Sequence, residues 1–271
     1  MSKIKHKPML LLLLGILLLS LPLTAFSESS ETSTHVDQSQ HHSDTSQSLP
    51  FKTGESYFFV VTYLGLTVGK ASLQVADEMD FDGKKAYHFI STAKTNRFFD
   101  FFYKVRNRID SWWDATSHNS IYYKAYQEEV DEIRTKEIRF FPEKELVVYK
   151  RGDSQERLNL AKKVQDPLSA FYFLRTRDIH RNESPIIVET FDSRRLWQIQ
   201  VSVIGKERIE VPAGTFETLV VQSVLDYDTF FKQKGEILIW LSEDEKKMPI
   251  KVKSKIKFGS LEAFLERYET K

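Results

Sequence analysis

Apolar and polar residues alternate one for one over long stretches of this chain, and that period limits the fold more than any other feature. In "PIKVKSKIKF", Ile250, Val252, Ile256 and Phe258 alternate with Lys251, Lys253, Lys255 and Lys257. Successive side chains of a strand point to opposite faces, so this pattern builds one buried face and one wet face. In "LWQIQVSVIG", Trp197, Ile199, Val201 and Val203 alternate with Gln198, Gln200 and Ser202. In "ESYFFVVTYLG" both faces are apolar, which predicts a strand covered on both sides.

Further strand signals fall near 67–76, 84–94, 105–113, 120–128, 133–141, 145–150, 186–191, 207–211, 215–227 and 235–241. Turn chemistry separates them at "FDGKK", "RGDS" and "VPAGTF". About thirteen short strands predict a large antiparallel sheet that must curl or close. The expected class is all-β, mainly antiparallel, as a half-barrel, spiral or open barrel.

One segment breaks the pattern. In "VQDPLSAFYFLR", residues 164–175, Asp166 is a good N-cap and Pro167 suits the first helical position, which needs no amide. Leu168, Phe171, Tyr172 and Arg175 follow at helical spacing. A helix this short is not stable alone. The reading is a helix over about 166–176, packed in the concave face of the sheet.

The N-terminus joins three lysines, an apolar run from Met9 to Leu19 and small residues at Ala25 and Ser27. This is the pattern of a secretory signal peptide, residues 1–27, cut after Ser27, with no transmembrane anchor left afterwards. Residues 28–50 hold only Val36 and Leu49 as large apolar side chains and read as a disordered polar linker, His35, His41 and His42 included. Residues 51–271 read as a single β-rich domain. Cleavage removes three of 39 basic residues and none of 38 acidic ones, leaving a charge of about −2. That balance argues against nucleic acid, whose phosphates demand a concentrated basic face. The chain has no cysteine, so it is neither disulfide-stapled nor a lipoprotein acylated on cysteine.

Catalytic patterns are sparse. There is no G-x-S-x-G elbow, H-E-x-x-H or Walker loop. His88, Asp110 and Ser111 could form a triad on paper, and His118 and His180 sit in polar loops. No catalytic residue, metal ligand or cofactor is assigned. The densest aromatic stretch is "RFFDFFYKVRNRIDSWW", residues 97–113, with seven aromatic side chains. Such side chains build cores or line a pocket for an acyl chain or an apolar peptide. Arg106 and Arg108 give the same strand a cationic side that could meet an anionic group.

Four segments together resemble the DUF3108 family of exported bacterial proteins: "FKTGESYFFVVTYLGLTVGKASLQV", "QDPLSAFYFLR", "IEVPAGTFETLVV" and "KGEILIWLSEDEKKMPIKVKSKIKFGSLEAFL". The resemblance implies a Gram-negative envelope protein with a β-spiral or half-barrel shape similar to periplasmic lipoprotein carriers. It implies no activity. The expectation is a non-enzymatic periplasmic protein that holds a lipid or hydrophobic peptide in its concave face, contributing to envelope maintenance. Trp112, Trp113, Phe171, Tyr172, Trp197 and Trp240 are the candidate lining, with Arg106 and Arg108 as anion contacts. The alternative is an adaptor that meets a periplasmic protein partner by its surface or a sheet edge, with a hydrolase the least favoured reading.

Overall fold

The computed structural model describes residues 49–130, 132–160, 163–179, 185–225, 236–256 and 259–270. The apolar N-terminus, the polar stretch with its three histidines, and His180 lie outside the described residues. The first half of the chain gives β1 (Ser56–Tyr63), β2 (Leu66–Phe81), β3 (Lys84–Thr95), β4 (Val105–Asp114), β5 (Ser120–Glu129), β6 (Glu132–Phe141), β7 (Leu146–Arg151) and β8 (Ser154–Asn159). The second half gives β9 (Ile186–Asp192), β10 (Arg195–Val211), β11 (Gly214–Leu225), β12 (Glu236–Ser242), β13 (Pro249–Lys255) and β14 (Ser260–Glu269). Two α-helices, α1 (Arg97–Asp100) between β3 and β4 and α2 (Pro167–Arg175) between β8 and β9, and a 3-10 turn at Pro142–Lys144 complete the described elements.

All fourteen strands form one antiparallel sheet, in the order β8-β7-β6-β5-β4-β3-β2-β1-β14-β13-β12-β11-β10-β9. Each half is a meander of neighbouring hairpins. The halves join where β1 pairs with β14, from Ser56 opposite Glu269 to Tyr63 opposite Leu261. The sheet is open, with β8 and β9 as its edges, and α2 lies on the connection between them. This is the all-β half-barrel with a helix inside that the alternation predicts.

Local sequence explains the hairpins and the curl. The β2–β3 turn places Asp82 and Gly83 at φ of 54° and 77°, the left-handed pair of a tight hairpin turn, which Asp-Gly tolerates. Register shifts at Phe58/Phe59, Val61/Thr62, Val75/Asp77, Trp112/Trp113, Val203/Gly205 and Trp240/Leu241 add local twist. Gly69, opposite one of these shifts, lets two strands approach, since a Cβ there would sit 2.2 Å from the Lys94 carbonyl oxygen. β10 runs unbroken over 17 residues, where the alternation suggested two shorter strands, because the bulge at Gly205 absorbs the change of phase.

The inner face carries two apolar clusters. The larger joins Tyr57, Phe59, Leu73, Phe89, Trp113, Tyr123, Ile138 and Leu265 from β1–β6 and β14. The smaller joins Val188, Ile199, Val201, Leu219, Val221 and Leu241 from β9–β12. Three contacts draw the open edges together. Gln165 pairs with β9, its amide donating to Glu189 O at 2.9 Å and its carbonyl accepting from Phe191 N at 2.8 Å. Lys136 of β6 and Asp192 of β9 form a buried ion pair, and Arg194 reaches Glu156 of β8 at 2.9 Å.

Candidate functional site

The sequence places α2 by its two ends. At the start, the buried Asp166 accepts from Leu168 N at 2.8 Å and Ser169 N at 2.9 Å, while Ser169 Oγ accepts from Asp166 N at 2.9 Å. Its other oxygen accepts from Ser111 Oγ at 2.6 Å and Ser120 Oγ at 2.5 Å, which ties the cap to β4 and β5. Burial pushes the Asp166 carboxyl above its ordinary range, against the pull of these four donors. Asp166 and Pro167 therefore fix both where the helix begins and what it begins against.

At the other end stands Arg175, fully buried. Its Nη1 donates to Glu55 Oε1 at 2.6 Å, and its Nη2 donates to the carbonyls of Lys246 at 2.8 Å and Pro50 at 3.1 Å. The guanidinium lies within 6 Å of the rings of Phe51, Tyr57, Phe171 and Tyr172. A buried charge is tolerated when its donors are satisfied, and aromatic faces add attraction.

Between these anchors the helix divides its side chains. Leu168 and Tyr172, one turn apart, enter the large cluster, where Tyr172 stacks on Phe89 with ring centroids 3.7 Å apart. Ala170 and Leu174 enter the small cluster. Burying Leu168 and Leu174 contributes about 1.5–3 kcal/mol each.

On the small-cluster side, packing is incomplete. A small cavity of about 70 Å³, partly open to solvent, lies between α2 and the inner face of β9–β13. Its walls include Leu73, Phe171, Val188, Ile199, Val201 and Ile239, with Ser223 bringing a hydroxyl and no charged residue among the described lining residues. Apolar walls with a single polar group suit a hydrocarbon chain. No group of three His, Asp or Glu side chains stands together among the described residues.

Of the aromatic candidates, Phe171 lines this cavity. Tyr172 and Trp113 are buried in the large cluster, and Trp197 packs beside the small one with its indole nitrogen on Asp192 O at 3.1 Å. Trp112 and Trp240 stand on the opposite face of the sheet. Trp112 stacks on His88, with centroids 4.4 Å apart, and Trp240 donates to Glu207 at 2.7 Å beneath the Lys251 ammonium. Adjacent strand positions must diverge, so Trp112 and Trp113 could not share a face.

The two arginines are on that outer face and are neutralised within the chain. Arg106 holds Asp100 at 2.5 Å, and Arg108 grips Asp110 through Nε at 2.8 Å and Nη2 at 2.7 Å. His88 Nε2 lies 2.9 Å from Asp110 Oδ1. Burial raises the Asp110 carboxyl, but His88 and Arg108 outweigh it and hold the group below its ordinary 3.8. Ser111 points the other way, to Asp166, so His88, Asp110 and Ser111 do not form a triad. Val188, Ile199 and Val201 were not singled out from the sequence as lining. The alternation in "LWQIQVSVIG" puts Ile199 and Val201 on one face, but nothing in it shows that α2 leaves space above them.

The fold has a solved counterpart. A β-barrel-like protein of the domain of unknown function DUF1849 from Brucella abortus aligns over 81% of this chain and 98% of its own, at 12% identity and a TM-score of 0.56. A candidate lipoprotein from Parabacteroides distasonis aligns over 82% of this chain and 98% of its own, at 12% identity and a TM-score of 0.34. A candidate exported protein with a YmcC-like fold from Bacteroides fragilis aligns over 82% and 98%, at 10% identity and a TM-score of 0.31. No curated protein sequence matches the chain. The family described as "Protein of unknown function (DUF3108)" matches residues 59–266, and the chain belongs to it.

Proposed function

We propose that this protein is a non-enzymatic binding protein, exported to the periplasm after cleavage behind Ser27, that holds an amphiphilic, lipid-like ligand in the cavity under α2. The observation that carries the reading is the cavity itself. A core of this size normally closes on itself, whereas this one leaves an apolar space beside a helix anchored at both ends by buried polar groups. The anchors hold α2 above the sheet, so the space persists without an occupant to prop it open. An acyl chain fits such walls, and Ser223 is placed to meet the first polar atom of a ligand.

Native mass spectrometry of the protein recovered from its own cells, followed by denaturing extraction, tests this. An acyl species of defined mass is expected, and it should be missing from Val201→Trp, which fills the cavity. Protein that is always empty, or a species that survives the filling substitution, overturns it.

A second reading rests on β8. This edge strand, "SQERLN", is largely exposed and no strand pairs with its outer side among the described residues, so it offers a free backbone ladder to a protein partner by strand addition. Empty protein that retains one stoichiometric partner, lost on placing proline in β8, favours this reading over the first.

A further inference from the structure

Seven large apolar side chains are exposed at one end of the sheet. Leu64 and Leu66 flank the β1–β2 turn, Phe98, Phe101 and Phe102 stand on the β3–β4 connection, and Val130 and Ile133 flank the β5–β6 turn. The three phenylalanines are 68%, 87% and 64% exposed. Folding gains nothing from displaying them, since burying each would be favourable.

These tips form one continuous rim. Asn96 Nδ2 donates to Thr67 O at 2.7 Å, tying the β3–β4 connection to the start of β2, and Val130 N donates to Lys104 O at 2.8 Å, tying it to the β5–β6 turn. The connection is also anchored from below. Tyr103 is buried, Phe99 packs against the large cluster, and Arg106 clamps Asp100 through both oxygens at 2.9 and 2.5 Å. Phe98, Phe101 and Phe102 are thereby held outward, with the Phe102 ring 5.5 Å from that of Phe98 and 5.3 Å from that of Phe101.

The charges around the rings have a sign. Among the described residues, Asp100 is paired with Arg106 and Glu128 with Lys104, while Glu129 and Glu132 share Arg134, so with Lys94 and Arg97 five bases stand against four acids. Lys94 and Arg97 have no partner among the described residues, and both are exposed. The result is a wedge of aromatic rings with a cationic collar. A protein partner is met by a flat, close-packed patch with a polar rim. Protruding rings beside uncompensated cations instead suit the boundary between anionic headgroups and acyl chains.

We propose that this rim is a membrane-docking surface, which inserts Phe98, Phe101 and Phe102 into an anionic lipid surface while Lys94 and Arg97 meet the headgroups. The row of paired residues Val201, Ser223, Ile237, Ser254, Leu261, Tyr63 and Leu66 runs across the sheet from the cavity wall to the β1–β2 tip. The cavity wall thus extends to the end of the strands that would face the lipid. The docking stands without the cavity reading, and its test does not depend on a bound ligand.

The chain has no cysteine, so Phe98→Cys, Phe101→Cys and Thr116→Cys each give a unique site for an environment-sensitive dye. Thr116 is exposed on the β4–β5 turn at the opposite end of the strands. Protein recovered from cells expressing the full chain is mixed with vesicles of phosphatidylethanolamine and phosphatidylglycerol. Dyes at 98 and 101 should shift to the blue and be quenched by brominated lipid, while a dye at 116 should not; a local readout of this kind is blind to the apolar N-terminus. Phe98→Ser with Phe101→Ser should weaken partitioning roughly tenfold or more, with the thermal transition preserved. Lys94→Glu with Arg97→Glu should abolish the preference over phosphatidylcholine vesicles. Dyes at 98 and 101 that behave like the dye at 116, serine variants that bind undiminished, or charge reversals that leave the lipid preference intact overturn the proposal.

Discussion

Glu55 and Arg175 lie 120 residues apart in sequence and meet in the interior, with Arg175 Nη1 2.6 Å from Glu55 Oε1 and side-chain exposures of 5% and 0%. Glu55 stands just before β1, in the middle of the sheet, and Arg175 ends the helix that spans the sheet's two edges. The pair therefore pins the crossover segment to the centre of the fold. Desolvating two charges is expensive, and their mutual attraction repays it only when both are fully bonded, as they are in this site.

Arg175→Ala should cost about 3–5 kcal/mol, because it leaves the Glu55 carboxylate buried without a counter-charge. Denaturant unfolding of the single variant and of Arg175→Met with Glu55→Leu checks this. The double variant should recover most of the loss, whereas equal destabilisation of both would mean that packing and not charge is at stake.

Asp166→Ala should destabilise by about 2–4 kcal/mol, combining the loss of a helix cap with buried Ser111 and Ser120 hydroxyls left without their acceptor. Asp166→Asn keeps an acceptor and should lose less. A further sign distinguishes the pair. Burial raises the Asp166 carboxyl in the folded state, so its ionisation costs stability as pH rises through that raised value, and the asparagine variant should lack this pH dependence.

Asp110 carries the opposite sign. Burial disfavours its charge, but His88 and Arg108 hold its folded-state value below 3.8, so it contributes stability above that pH, lost as pH falls through the lowered value. Asp110→Asn should flatten the acid limb of a stability-versus-pH curve below about pH 4, measured by thermal melts in a buffer series.

Gly69→Ala should cost about 1–3 kcal/mol, since the added Cβ meets the Lys94 carbonyl oxygen at 2.2 Å and forces β2 from β3. The thermal transition reports it. Gly83, with open space around its Cβ position, should instead show only the cost of its positive φ on the same substitution.

The elements that could be read from sequence are those with a local cause. Asp-Pro at 166–167 marks the helix start because the cap and the missing amide act within one turn. The strands in "PIKVKSKIKF" and "LWQIQVSVIG" declare both existence and phase. β8 stayed hidden because "SQERLN" has no buried face to generate alternation, and α1 because four residues show no period. Phase was the limit for the tryptophans. "EILIWLS" is apolar on both faces, so nothing in it shows that Ile239 and Leu241 point inward and Trp240 outward. The "RFFDFFY" stretch was read as core or pocket, because composition cannot reveal that a tether at each side of a loop holds its rings in solvent.

Every strand pairing in this sheet joins neighbours in sequence except that of β1 with β14. Hairpins between neighbours close within microseconds, whereas a pairing across some 200 residues must wait for both meanders to exist. During that wait β1 and β14 are themselves bare edges, and β1 is apolar on both faces. The pairing at the centre of the finished sheet thus carries the largest loop-closure cost among its pairings. A newly made chain is most exposed to wrong partners at its centre, a hazard separate from the free β8 edge of the assembled form.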